Sequence, residues 1–363
     1  MKPGSPPMNL PKGGPPMAKR LLAFLLTLAL ALGGCAPGTG GMGPAPAPPE
    51  KPPKKAVFMA GYKPQANLPF VGVYVAQEKG FFKEQNLSVE ILHSAGQGEH
   101  LKLLLAGHIQ FTTANAESVL KQIADADAPI TAVALIGQKS EQAYAVLADS
   151  GINSPKDWEG RTVGYKVYPS PEYLAILKAA GVDRSKIREV AVGFDPRVLL
   201  ERKVDIYPLF ISNEPYLLRK LGAEIRLFDA TQYGVPTLGL TYIVKRDLID
   251  EDPDLIERFL KAALRGLYYA FDHESEAVDI IMKYAPREDR DHMAYMLQTE
   301  KQRALTELTR NRGLGFMTAE QWRALHDMLV EFKGISRPID VERAFTDRFL
   351  KKIYDAQGRL LWP

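Results

Sequence analysis

Between Ala56 and Ser212, short apolar runs of strand character alternate with stretches of helical periodicity, and the alternation starts afresh near Ser154. That order predicts an α/β architecture, because strands bury their apolar faces beneath the helices that connect them. In the first pass, strands are expected at 56–62, 87–94, 109–113, 130–138 and 143–149, with helices over 73–84 and 99–106. In the second, strands are expected at 162–166, 187–194 and 204–212. Ser170 is the expected cap of a helix, and Pro171 near its first turn and Gly181 at its end follow the usual capping asymmetry. From about Asp252 to Ile353 the spacing is helical, as in Leu255, Phe259, Leu260, Ala263 and Leu267. Thr318 and Gln321 have capping-box spacing, and the stripe Trp322, Leu325, Met328, Leu329 reads as core.

The two passes have a matching element. "KLLLAGHIQFTTANAES" (102–118) and "RVLLERKVDIYPLFISNEP" (197–215) each run helix, tight turn and strand, then end on an asparagine and a glutamate. Two similar lobes can face such strand ends across a cleft, where helix starts and free backbone groups collect. The expected lobes are 56–149 with 242–353, and 150–241. Some 300 folded residues suit two lobes better than one core.

The N-terminus follows different rules. Leu21–Leu32 is apolar except for Thr27, follows Lys19 and Arg20, and is too short to span a bilayer but long enough for a signal-peptide core. Leu32-Gly33-Gly34-Cys35 resembles the bacterial lipobox, which implies cleavage before Cys35 and a lipid on its thiol. Met17 is the better start, because Met1–Pro16 is polar and proline-rich. Residues 1–34 are thus expected to be a signal peptide, and 35–55 a lipidated cysteine and a Pro/Gly-rich linker, extended in its Pro-rich half. Loss of 1–34 removes four basic residues and no acid, taking the net charge from +3 to −1. A near-neutral chain offers no nucleic-acid signature. Cys35 is the sole cysteine, so no disulfide can form within the chain.

"GYKPQANLPFVGVYVAQEKGFFKEQNLSVEILHSAG" (61–96) resembles the opening of solute-binding proteins of ABC importers, within the group that binds thiamine-pyrimidine precursors, riboflavin and sulfonates. "LLLAGHIQFTTANAES", "GINSPKDWEGRTVGY" and "SNEPYLLRKLG" are similar to further segments of that family, so the resemblance spans about 57–350. It implies a two-lobed type II periplasmic-binding-protein fold with a hinge and no cofactor. It also implies a small-molecule ligand, permease and ATPase partners, membrane attachment through lipid, and a monomer. A sulfonate-binding protein is the alternative, and a pyrimidine synthase of the same fold a weaker one. That enzyme family uses pyridoxal phosphate and a cysteine-rich segment, and no cysteine follows Cys35.

A flat heteroaromatic ligand needs aromatic faces and a few polar groups at its edge. The candidates are Tyr62, Asn67, Phe70, Asn115 and Glu117 in the first lobe, and Tyr165, Tyr168, Ser170, Tyr173, Asn213 and Glu214 in the second. No arginine stands between Tyr62 and Asn115, which disfavours a sulfonate or phosphate. The six histidines show no metal-ligand pair at helical spacing, so no metal or catalytic group is expected.

Overall fold

The computed structural model describes residues 52–363. The proposed start at Met17, the apolar run, Cys35 and most of the linker lie outside them. The strands are β1 (Lys54–Ala60), β2 (Leu87–His93), β3 (Phe111–Asn115), β4 (Ile130–Leu135), β5 (Gln142–Leu147), β6 (Thr162–Tyr165), β7 (Arg188–Ala191), β8 (Tyr207–Phe210), β9 (Ile225–Asp229) and β10 (Leu240–Lys245).

One sheet has the order β2-β1-β3-β10-β4. β1 runs parallel to β2 and β3, while β10 lies antiparallel between β3 and β4. Helices cover it, which is why its strands read as almost unbroken apolar runs. Phe259, on the amphipathic helix Pro253–Asp272, stacks on Phe111 with ring centroids 3.8 Å apart. The expected helix over 73–84 instead starts at Leu68, with Pro69 in its first turn, and ends at Glu78. Gly80, at φ 78°, turns the chain, and Phe81 and Phe82 are buried beyond it.

The second part of the molecule holds an antiparallel sheet β8-β5-β9 and a parallel pair β6-β7. Gly164 N–H donates to the Ile206 carbonyl at 2.8 Å and links the two. The segment 143–149 was expected in the first lobe, yet β5 pairs with β8 and β9. Adjacency in sequence suggested the first assignment, whereas strand pairing is decided by partners some 60–80 residues downstream. β9 and β10 are two strands that periodicity did not reveal.

The chain passes between these parts twice, at 136–141 and 230–239. The two passages touch main chain to main chain: Gly239 N–H donates to Gly137 O at 2.7 Å. A Cβ on Gly137 would lie 2.8 Å from Leu240 N, and one on Gly239 would lie 2.8 Å from Lys139 O. Only glycine permits this approach. Among the described residues no helix is long and apolar enough to cross a membrane.

Candidate ligand-binding cleft

A cavity of about 600 Å³ opens where strand ends from both parts meet the crossing. Gly61, Tyr62, Gln65 and Asn67 follow β1, and Thr113–Asn115 end β3. From the other part come Phe194, Phe210 and the Ser212–Glu214 corner, while Ser140–Gln142 and Leu240 form the floor. The volume falls within the range of small-molecule sites.

Of the sequence-predicted residues, the structure brings Tyr62, Asn67, Phe70, Asn115, Asn213 and Glu214 to the wall. Tyr62 is 48% exposed at the lip. Asn67 faces inward: its amide donates to Glu300 at 2.6 Å and accepts from Gln65. Glu214 forms an ion pair with Lys166 at 2.6 Å and accepts from Phe210 N–H at 2.8 Å. The Lys166 ammonium also lies 4.4 Å from the Phe210 ring centre.

Glu117, Tyr165, Tyr168, Ser170 and Tyr173 are not among the residues that line the cavity. Ser170 caps the helix Pro171–Ala179, accepting from Tyr173 N–H at 3.1 Å, as its place before Pro171 suggested. Tyr173 is on the buried face of that helix, stacked on Trp158 at 6.2 Å and tilted against Tyr144 at 5.7 Å. Tyr168 is exposed, and Tyr165 ends β6 in the small pair. Glu117 is half-buried, and burial pushes its carboxyl up.

Sequence reasoning missed the floor. Burial raises the Glu141 carboxyl above its ordinary value, with Arg303 and Ser212 pulling the other way. Its Oε1 lies 3.3 Å from Arg303 Nε, while its Oε2 is buried without a hydrogen bond of ordinary geometry. Arg303 also donates to Asp229 at 2.6 Å and to the Ser140 carbonyl, so it ties the first crossing and the end of β9 that leads into the second to one helix, Arg290–Ala304. Burial opposes charge on Asp229, but the guanidinium keeps its carboxyl below the usual range.

Three residues earlier on the same helix, Glu300 accepts from Leu68 N–H at 2.8 Å. It thereby caps a helix whose own N-cap, Asn67, makes no side-chain cap bond. Burial nonetheless holds Glu300 well above the ordinary carboxyl value. Phe194, 66% exposed, is the wall's most exposed aromatic. The expected strand over 187–194 would have ended on it, but β7 stops at Ala191 and leaves Phe194 on the loop beyond. The helix Arg290–Ala304 is some 160 residues from Glu141 in sequence, and no motif marks either residue. Among the described residues no cluster suits a metal ion.

The chain is 26% identical over 350 residues to the riboflavin-binding protein RibY of Chloroflexus aurantiacus, covering 92% of this chain and 98% of that one. It is 25% identical over 283 residues to the formylaminopyrimidine-binding protein of Halalkalibacterium halodurans, covering 76% and 84%. A 4-amino-5-hydroxymethyl-2-methylpyrimidine phosphate synthase of Legionella pneumophila is 23% identical over 291 residues, covering 77% and 87%. Among solved structures, the periplasmic aliphatic sulphonate binding protein SsuA of Escherichia coli superposes with a TM-score of 0.61 at 14% identity, covering 80% of this chain and 91% of that one. That likeness shows the periplasmic-binding-protein fold. The family described as NMT1/THI5 like matches residues 67–277, and the chain belongs to it.

Proposed function

We propose that this protein is the extracytoplasmic solute-binding component of an ABC importer, and that it captures a flat nitrogen heterocycle. One observation carries the ligand class. The wall of the cavity presents the rings of Tyr62, Phe70, Phe194 and Phe210 beside five side-chain amides, and among the described residues no lysine or arginine lines it. Rings hold the faces of such a ligand and amides read its edge. A sulfonate would need paired cations or arginine forks. The relatives named for riboflavin and formylaminopyrimidine binding support the reading.

Tyr62, Asn67, Phe70, Asn115, Asn213 and Glu214 form the contact set, with Phe194 added as a second lip aromatic. The lobes 56–149 with 242–353 and 150–241, adjusted so that β5 joins the second, close on the ligand about the crossing. Cys35 anchors the chain through lipid, and the linker lets the receptor reach its permease. Binding without chemistry is the simpler reading of a cleft whose carboxyls are held by Arg303, Lys166 and a helix start.

Thermal melts with riboflavin, formylaminopyrimidine and an alkanesulfonate test the ligand class. A ligand at about 100 times its Kd adds about 2.7 kcal/mol of apparent stability. One heterocycle should raise the midpoint. A shift with the sulfonate alone would overturn the reading. For the anchor, mass spectrometry of the membrane fraction should find a diacylglyceryl thioether on Cys35, and Cys35→Ser should release soluble protein. An intact N-terminus at Met17 would refute it.

A further inference from the structure

Three helices start near the cleft, and each start has an acidic side chain beside it. Glu300 accepts from Leu68 N–H at 2.8 Å at the first of these, the start of Leu68–Glu78. Glu117 occupies the first turn of Ala116–Ala126. Glu214 opens Glu214–Lys220 and turns back to the Phe210 N–H at 2.8 Å. A helix start is the natural seat of a bound anion, since its N–H groups point outward and its dipole favours negative charge. Here Glu300 fills the seat at Leu68–Glu78, and Glu117 and Glu214 put an acid in the first turn of the other two.

The cations nearby are committed as well. Lys166 pairs with Glu214 at 2.6 Å, and Arg303 pairs with Asp229 at 2.6 Å and with Glu141 at 3.3 Å. The groups acting on Glu141 are Arg303 and Glu300 from the helix Arg290–Ala304, Asp229 at the end of β9, and Ser212 beyond β8. Two carboxyls thus share one guanidinium at the floor, and the Glu300 carboxyl lies against Glu141. Glu141 lines the cavity, and its buried Oε2 makes no hydrogen bond of ordinary geometry.

We propose that Glu141 sets the charge class of the ligand: the cleft takes an uncharged heterocycle bearing N–H donors and rejects the same ring once it carries a phosphate or sulfonate. This rests on the heterocycle reading above and narrows it. An anion placed over the floor must drive a further proton onto the Glu141–Glu300 pair or accept repulsion from it. Affinity for anions should therefore rise as pH falls, while affinity for the uncharged ring should not.

Calorimetry on the full-length protein tests this with two ligand pairs: 4-amino-5-hydroxymethyl-2-methylpyrimidine against its phosphate ester, and riboflavin against riboflavin 5′-phosphate. At pH 8 the phosphorylated member of the binding pair should be at least tenfold weaker, and at pH 6 the gap should narrow. Glu141→Gln should narrow it at pH 8 and leave only the pH dependence of the phosphate's own second ionisation at about pH 6, with Glu141→Asp, which keeps the charge, as the control for folding. Methanesulfonate probes the exclusion without a ring and should give no saturable heat. Equal affinity for both members at pH 8, or a gap unchanged by Glu141→Gln in a folded variant, overturns the proposal and leaves the heterocycle reading standing. Saturable methanesulfonate binding overturns the exclusion whatever the rings do. Failure of all four heterocycles alongside such binding removes both.

Discussion

The corners at Asn115 and Asn213 have nearly the same sequence pattern, and the molecule uses them differently. At the first, the glutamate comes two residues after the asparagine; at the second, it comes one residue after. On a helix that single step is a rotation of about 100°. Glu214 therefore reaches the cavity wall and meets the Lys166 ammonium, whereas Glu117 turns off the wall. The carboxyl that Glu117 opposes is that of Glu172, buried in the helix Pro171–Ala179. One corner is closed by an ion pair, the other by two acids. Pattern similarity located both corners, but the register within the helix decided their chemistry.

The largest consequence is for pH. Burial first, and then Glu117, raise Glu172 to about 8. A carboxyl raised in the folded state stabilises it fully below the unfolded value near 4.5, and that stability is lost as pH rises toward 8. The ceiling is about 5 kcal/mol, at about 1.4 kcal/mol per pH unit, and relaxation will reduce it. Melting temperatures of wild type should fall relative to Glu172→Gln between pH 5 and pH 8. Parallel curves would show that the acid corner is not under this strain.

Arg303 offers a test of the floor that joins the two corners. Arg303→Met leaves Asp229 and Glu141 without their cation and should cost about 4 kcal/mol in denaturant unfolding, as for other broken buried pairs. A loss below about 1 kcal/mol would mean that the crossing does not depend on this residue. Next comes the contrast between corners. Glu214→Ala strands a largely buried ammonium and the Phe210 N–H, for an expected loss of about 2–3 kcal/mol. Glu117→Gln should change stability by about 0.5 kcal/mol or less, since it replaces a half-buried acid that burial already disfavours. Equal losses would erase the distinction.

Tests of binding, as distinct from folding, separate wall from surroundings. Phe194→Ala and Tyr62→Ala should each weaken ligand binding roughly tenfold, equivalent to about 1.4 kcal/mol, and leave the unliganded melt unchanged. Tyr168→Ala should alter neither. If Tyr168→Ala weakens binding and Phe194→Ala does not, the second lip aromatic has been misassigned.

What the sequence could reveal follows from the range of each signal. Strand and helix character is local, so β1 to β8 were legible, as were the Ser170 cap and the Thr318–Gln321 capping box, which the structure forms. Sheet membership is not local. β5 was assigned to its sequence neighbours, and β10 returns to the first sheet after more than a hundred residues. Tyr173 shows the same limit on a smaller scale: tyrosine composition suggested a ligand face, but the helix turns that ring toward Trp158. The floor was illegible because Glu141, Glu300 and Arg303 become neighbours only after both crossings are made.

The contact between Gly137 and Gly239 bears on how such a receptor can change over time. The join between the two parts is made of main chain, so wall substitutions do not reach it. Residues such as Tyr62, Phe194 or Asn213 can be exchanged one at a time, each altering what is recognised, while the junction is inherited unchanged. Saturation mutagenesis with a selection for uptake should find the wall permissive and able to acquire new ligands. At the two glycines almost every variant should be lost.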